Sequence, residues 1–177
     1  LSRYCTNKKH VIFGGYHGWH DWVIGSSSRS GGIPEAEKKI SHKFIFNDFN
    51  SILKLHKKLN GDIACIVMDL VARYYPEKNF LKKVRDFCSK NKILLVFDEI
   101  VTGFRINKGG AQTFFKVIPD LSCFGKAMGN GMPISALVGK KQYMKKFNDV
   151  FYAMNFVGEK ASLAAAKVTL DYYLKND

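Results

Sequence analysis

One short stretch constrains the fold of this chain more than any other. Residues 93–98 read Ile-Leu-Leu-Val-Phe-Asp, five apolar side chains followed by a carboxylate. An apolar run of this length is typical of a strand that is buried on both faces of a parallel sheet. Ligands of open α/β sheets bind beyond the carboxyl ends of the strands, so Asp98 is predicted to lie where a functional site opens.

A second short strand, predicted at residues 121–124, leads into a glycine-rich turn that carries Lys126. Glycines at 125, 129 and 131 allow the backbone of this turn to pass close to a bound molecule. The pair suits pyridoxal phosphate, which needs a lysine amine for attachment and a buried carboxylate, here Asp98, to keep its ring nitrogen protonated. Each residue also has an ordinary alternative, since a strand-end Asp often caps a helix and a Lys near glycines is usually solvated.

Strand and helix patterns alternate along the rest of the chain. Strands are also predicted at residues 10–14, 63–68 and within 133–139, and helices at 48–60, 77–91, 111–117, 140–147 and 159–174. This βαβ rhythm predicts an α/β fold with a mainly parallel sheet, flanked by helices and joined by right-handed crossovers. A chain of 177 residues is long enough for one domain with a sizeable core.

A set of motifs in this chain resembles the class III aminotransferases of PLP fold type I, most closely the glutamate-1-semialdehyde aminomutase-like branch. The motifs are Asp98-Glu99-Ile100-Val101-Thr102-Gly103-Phe104-Arg105, Gly109-Gly110-Ala111-Gln112, Pro119-Asp120-Leu121, Gly125-Lys126, Gly131-Met132-Pro133, Tyr16-His17-Gly18 and Gly158-Glu159. Members of the family are much longer and have an aspartate aminotransferase-like large domain. We therefore expect residues 1–177 to be an incomplete PLP-binding large domain that lacks its N-terminal segment and the C-terminal small domain.

The resemblance implies that the cofactor is pyridoxal 5'-phosphate and that Lys126 and Asp98 are catalytic. Lys126 would hold the cofactor and move a proton as general base and acid, while Asp98 would keep the ring nitrogen charged. In the family an aromatic residue stacks on one face of the ring and a branched aliphatic residue presses on the other. The cofactor-binding residues implied in this chain are Lys126, Asp98, Tyr16, His17, Gly18, Ile100 and Asn155.

Several positions depart from the family pattern. Asp69-Leu70 stands where Glu-Pro is normal, and the Ser/Gly loop at 25–34 is a shortened form of the aminomutase gating loop. Asn155 replaces a Thr whose hydroxyl reaches the cofactor phosphate of the other subunit in a dimer, although the Asn amide can also donate to a phosphate oxygen. The family's other phosphate contacts come from a turn upstream of Leu1.

The function that the resemblance implies is the PLP-dependent transfer of an amino group between an amino donor and a carbonyl acceptor. An internal transfer between adjacent carbons, as in a 2,1-aminomutase acting on an amino-aldehyde, belongs to the same expectation, and so does a homodimer. The alternative is a catalytically impaired relative that keeps the fold for assembly, which the departures at Asp69-Leu70 and Asn155 suggest.

The charge balance, 28 Lys+Arg against 15 Asp+Glu, gives a formal net charge of +13. Basic pairs are spread over several elements rather than gathered on one face, which favours a solvated surface over a nucleic-acid partner. His17, His20 and Asp21 could present metal ligands, but no compact His or Cys cluster completes the set, so no metal is predicted. Four cysteines without CxxC spacing and apolar runs too short to span a bilayer predict a cytoplasmic protein that does not enter membranes.

Overall fold

The computed structural model describes residues 1–71 and 74–176, which fall into two compact units, Leu1–Val96 and Phe97–Asp177. Its strands are β1 His10–Gly14, β2 Ser41–Lys43, β3 Ile63–Asp69, β4 Leu94–Asp98, β5 Leu121–Phe124 and β6 Ala136–Gly139. Its α-helices are α1 Ser2–Thr6, α2 Asp21–Ile24, α3 Glu35–Lys38, α4 Phe49–Lys58, α5 Phe80–Lys90, α6 Ala111–Phe114, α7 Lys141–Met144 and α8 Lys160–Lys175. Two 3₁₀ turns cover Lys126–Met128 and Lys145–Asp149.

The strands form one sheet in the order β2-β1-β3-β4-β5-β6. β1 pairs in parallel with both β2 and β3, whereas β5 and β6 are antiparallel. The sheet is therefore mixed, and the predicted α/β class with helices along the sheet is confirmed. Among the three strand pairs whose direction is described, β5–β6 is the antiparallel one.

In the first unit, β1 and β3 supply the core because their apolar side chains are excluded from water. Ile12, Ile63 and Ile66 are fully buried. Helix α4 begins at the predicted cap, since the Asp48 carboxylate accepts a hydrogen bond from the Ser51 N–H at 3.3 Å. The Phe49 ring of this helix meets Phe87 of α5 edge-on, with ring centroids 5.7 Å apart.

In the second unit, a smaller apolar cluster joins β5 to helix α8. Phe124 and Met128 are buried together with Ala166 of the helix. The side chain of Glu159 caps α8 by accepting the N–H groups of Ala161 and Ser162, at 2.8 and 2.7 Å. Hydrogen bonding to Ser162, through its side chain and its N–H, and then to the Ala161 N–H lowers the pKa of the Glu159 carboxyl.

The predicted elements exist, but several of their bounds were wrong for reasons of backbone geometry. Helix α5 starts at Phe80 instead of residue 77 because Asn79 adopts a left-handed conformation with φ 67°. Helix α6 ends at Phe114 instead of residue 117, since Lys116 also has a positive φ of 56°. The short elements α1, α3 and β2 were not predicted. None of the described helices is long and apolar enough to cross a membrane.

A pair of histidines joins the edge strand β2 to β1. His10 Nδ1 and His42 Nε2 lie 3.0 Å apart, and their ring centroids are separated by 5.1 Å, so the two nitrogens point toward each other. One ring must donate and the other must accept. Burial lowers the pKa of His42, and the neighbouring His10 and the charge of Lys58 lower it further. The Asp62 carboxylate stands 4.0 Å from the other nitrogen of His10.

This arrangement predicts a loss of stability in mild acid. Because the pKa of His42 in the folded protein lies below its unfolded value, the unfolded chain binds the proton first as the pH falls below about 6.5. The contribution is complete above that pH and is lost as the pH falls through the folded pKa. His42→Gln should therefore flatten the change in urea midpoint between about pH 7.5 and about pH 5.

The matched control is His20→Gln, which removes an exposed imidazole from the same unit. It should leave the acid dependence of the urea midpoint as it is in the unmodified protein. An equal flattening by both substitutions would contradict a specific role of the His10–His42 pair.

Candidate functional site

The carboxyl end of β4 places Asp98 beside β5. Asp98 is half-buried, and its Oδ1 accepts a hydrogen bond from the Ile100 N–H at 3.1 Å. The backbone N–H of Glu99 donates to the carbonyl of Cys123, at 2.8 Å, three residues before Lys126. Asp98 thus ends β4 and Lys126 lies just past the end of the neighbouring β5, as the sequence predicts; their chemical roles stay predictions.

Lys126 begins the 3₁₀ turn after β5 in a conformation that is unusual for a lysine. Its φ is 42°, in the left-handed region. Its carbonyl accepts from the Gly129 N–H at 3.0 Å and from the Asn130 N–H at 3.2 Å, which holds the turn. The residue is exposed, and across residues 1–71 and 74–176 no described hydrogen bond or ion pair engages its amine. The amine is therefore available for chemistry.

The three glycines around Lys126 occupy their positions for different structural reasons. A Cβ on Gly129 would lie 2.5 Å from both the Ile134 side chain and the Met132 carbonyl, so packing requires glycine there. Gly131 has φ +103°, which favours glycine whatever the space. Gly125 has neither constraint: its backbone is extended, and a Cβ would meet ordinary contacts at 3.5 Å or more, two of them with Ile100.

Two alanine substitutions test this distinction. Gly129→Ala should destabilise the second unit by about 1–3 kcal/mol, because its methyl group forces a backbone or side-chain shift. Gly125→Ala should change the free energy of unfolding by less than about 1 kcal/mol. Urea unfolding of both variants measures the difference, and equal losses of stability would show that the turn is packed differently around residue 125.

Glu99 is the main residue that sequence reasoning missed. Its side chain is fully buried. One carboxylate oxygen accepts hydrogen bonds from the Thr102 hydroxyl and the Ala111 N–H, the latter at 2.8 Å, and the other accepts from the Gln112 N–H at 2.7 Å. Side chains alternate between the two faces along an extended chain, so Asp98 and Ile100 share one face and Glu99 points to the other. This alternation is the sequence signal that could have identified Glu99 as a buried carboxylate.

The other predicted residues, Tyr16, His17 and Gly18, lie in the first unit, in the loop after β1. Asp69, the last residue of β3, holds this loop by accepting the Tyr16 N–H at 3.2 Å. The loop can approach Asp69 closely because residue 15 is a glycine with φ +109°. Any larger residue there would place its Cβ against the Asp69 carboxylate. The Tyr16 ring is 67% exposed, so packing within the unit does not account for it.

His17 is held from several sides. Its Nε2 lies 3.1 Å from the Gly14 carbonyl and its Nδ1 lies 3.9 Å from the Asp69 carboxylate. Its ring stacks on Trp22 at a centroid distance of 6.0 Å and meets Phe13 edge-on at 5.9 Å. Asp69 thus contacts the loop after β1 at two places, the Tyr16 N–H and the His17 ring.

Asn155 lies in an exposed segment of the second unit, between β6 and α8. Among the described residues, no hydrogen bond connects its amide to Asp98 or Lys126. The surrounding side chains of Phe151, Phe156 and Val157 are apolar and 94%, 61% and 64% exposed. The structure thus brings the segment of Asp98 and Ile100 next to the strand end and glycine that precede Lys126, and the role of Asn155 stays a prediction.

A buried cysteine of the first unit is excluded as a nucleophile. Cys65 lines a cavity of about 750 Å³ together with Arg3 and Trp22. Burial raises the pKa of its thiol to about 11, so the reactive thiolate is scarce at neutral pH. Lys126, and not this thiol, is the candidate for covalent chemistry.

The chain is similar to known proteins over most of its length. The family profile of class-III aminotransferases matches residues 15–177. The chain is 37% identical to the glutamate-1-semialdehyde 2,1-aminomutase of Methanocaldococcus jannaschii, over 96% of this chain and 44% of that protein. It is 38% identical to the 3-aminobutyryl-CoA aminotransferase of Cloacimonas acidaminovorans, over 97% of this chain and 42% of that protein.

The fold matches solved structures as well. The FumI protein of Sphingopyxis sp. MTA144, solved in its PLP internal aldimine form, superimposes with a TM-score of 0.89 at 28% identity, over 99% of this chain and 44% of that one. The chain therefore spans less than half the length of these relatives.

Proposed function

Because this chain belongs to the class-III aminotransferases, we propose that it holds pyridoxal 5'-phosphate and transfers an amino group from an amino donor to a carbonyl acceptor. The observation that carries this proposal is the placement of Asp98 and of the unengaged amine of Lys126 after the ends of neighbouring strands. This placement supplies the two groups that such chemistry needs.

The residues present fit the cofactor. The Lys126 amine has no competing partner in the described part of the chain, and Gly125 is a glycine that packing within the second unit does not require. Ile100 borders Gly125, with its side-chain carbons 3.7 and 3.8 Å from the position of a Cβ there. We propose that Lys126 holds the cofactor covalently, that Asp98 faces the ring nitrogen and that Ile100 presses on the ring. The family resemblance supports Tyr16 as the aromatic residue that stacks on the ring, and His17 and Gly18 as further cofactor-binding residues.

When bound, pyridoxal phosphate supplies an electron sink for charge that develops on the carbon next to the amino group. Once an amino donor has displaced it, the Lys126 amine would take the proton from that carbon as base and deliver it as acid to C4′ of the cofactor. Asp98 keeps the ring-nitrogen proton in place, since a half-buried carboxylate favours a positive charge beside it.

We also propose that the active form is a cytoplasmic homodimer in which Asn155 serves the cofactor phosphate of the partner subunit. The exposed apolar side chains around Asn155 support burial of this segment against another chain. The alternative of an assembly role without catalysis gains no support from the first unit, because Asp69 holds its loop. Amino-group transfer is therefore preferred.

Substitution of the lysine tests the covalent role. In the complete gene product that contains this chain, Lys126→Ala should abolish the visible imine absorbance that pyridoxal phosphate gives with the unmodified protein, because no amine remains at this position to form the link. Borohydride treatment of the unmodified protein followed by peptide mass spectrometry should place the adduct on Lys126. The control is Lys141→Ala, which removes an exposed amine of α7 and should leave both signals intact. An adduct on another lysine would refute the assignment.

A second substitution separates attachment of the cofactor from the rate of amino-group transfer. Asp98→Asn should still carry the cofactor on Lys126 but transfer amino groups about a hundredfold more slowly, because the uncharged amide no longer holds the ring-nitrogen proton. Asp171→Asn, which removes an exposed carboxylate paired with Lys167 in α8, is the control and should keep the rate. Single-turnover absorbance changes measure both; an unaltered rate in Asp98→Asn would assign that carboxylate to structure alone.

A further inference from the structure

We propose that Glu99 is a positioning residue that fixes Asp98 and Lys126 relative to each other, an inference that rests on the proposed function. Glu99 touches no reacting atom; it acts through the backbone on both sides of the site. It is the residue between Asp98 and Ile100, and its fully buried side chain points into the second unit.

The side chain of Glu99 closes the segment that follows β4. Its carboxylate binds the Thr102 hydroxyl and the first two N–H groups of α6, those of Ala111 and Gln112. A Cβ on Gly110, whose φ is +79°, would lie 2.6–2.8 Å from the carboxylate atoms. The glycine is therefore required for the carboxylate to reach the helix, and the carboxylate has little room to move.

The backbone of Glu99 connects this segment to the strand that precedes Lys126. Its N–H donates to the Cys123 carbonyl at 2.8 Å, and its carbonyl accepts the Gly103 N–H at 2.7 Å. The next residue, Ile100, packs against Gly125, which immediately precedes Lys126. A rotation of the Glu99 peptide would therefore displace Asp98 on one side and the Lys126 turn on the other.

A purely structural residue would affect stability alone, whereas a positioning residue also changes the chemistry at the site. In Glu99→Gln an amide NH₂ replaces one oxygen and faces a backbone N–H of α6, so that at least one donor loses its acceptor. A misplacement of the catalytic groups by about 1 Å costs up to about a hundredfold in rate. The expected signature is a lower kcat with KM nearly unchanged, because Glu99 does not touch the substrate.

The experiment uses the complete gene product loaded with pyridoxal phosphate. Glu99→Gln should retain the borohydride-reducible adduct on Lys126, shift the pH midpoint of its visible absorbance band, and lower kcat by about tenfold or more. Thr102→Val removes only the hydroxyl donor to Glu99 and should produce the same changes to a smaller degree. It also decides the question if Glu99→Gln does not fold.

The matched control is Gln112→Ala. It deletes a side chain that accepts a hydrogen bond from the Ser122 hydroxyl at 3.2 Å but keeps the backbone N–H that binds Glu99. It should lower the urea midpoint without changing the absorbance midpoint or kcat. Folded Glu99→Gln or Thr102→Val with unchanged absorbance and kcat would overturn the proposal, as would equal changes in Gln112→Ala. Absence of a Lys126 adduct in the unmodified protein would instead refute the proposed function itself.

Discussion

The buried carboxylate of Glu99 is the interaction on which the geometry of the second unit depends. A carboxylate removed from water is costly unless donors replace the lost hydration, and here a hydroxyl and two backbone N–H groups do so. The same bonds satisfy the first N–H groups of α6, which would otherwise lack partners. An apolar side chain at this position would fill the space but leave those donors unsatisfied, so the local structure specifies glutamate.

The first unit repeats this solution with other residues. Asp69 ends β3 and holds the backbone of the loop that carries Tyr16, as Glu99 follows β4 and holds the segment that leads to α6. In both places a glycine with positive φ, Gly15 or Gly110, leaves the space that the carboxylate occupies. Each candidate segment is thus fixed by a carboxylate at a strand end and a glycine opposite it. Strand ends suit this role because the strand itself is rigid and its backbone groups are already paired.

Much of this arrangement could be predicted from sequence because strong local patterns produce it. The apolar run that ends at Asp98 and the strand before Lys126 are short, regular and buried. The hydrogen bonds of the Glu99 side chain could not be predicted, since its partners lie up to 13 residues away and their positions depend on the path of the chain between them. The hold of Asp69 on the loop after β1 could not be predicted either, because it depends on the positive φ of Gly15.

The same reasoning explains why one lysine stands out in a chain with 28 Lys and Arg residues. A positive φ alone does not distinguish it, because Lys92 and Lys116 also adopt the left-handed conformation, with φ 53° and 56°. Those two follow the ends of α5 and α6, where a left-handed residue commonly terminates a helix. Lys126 instead begins a turn directly after a strand, where no helix end calls for that conformation. Backbone strain that local structure does not explain concentrates at functional sites. Here it occurs at a lysine whose amine has no partner among the described residues, just past the strand that neighbours the one ending at Asp98.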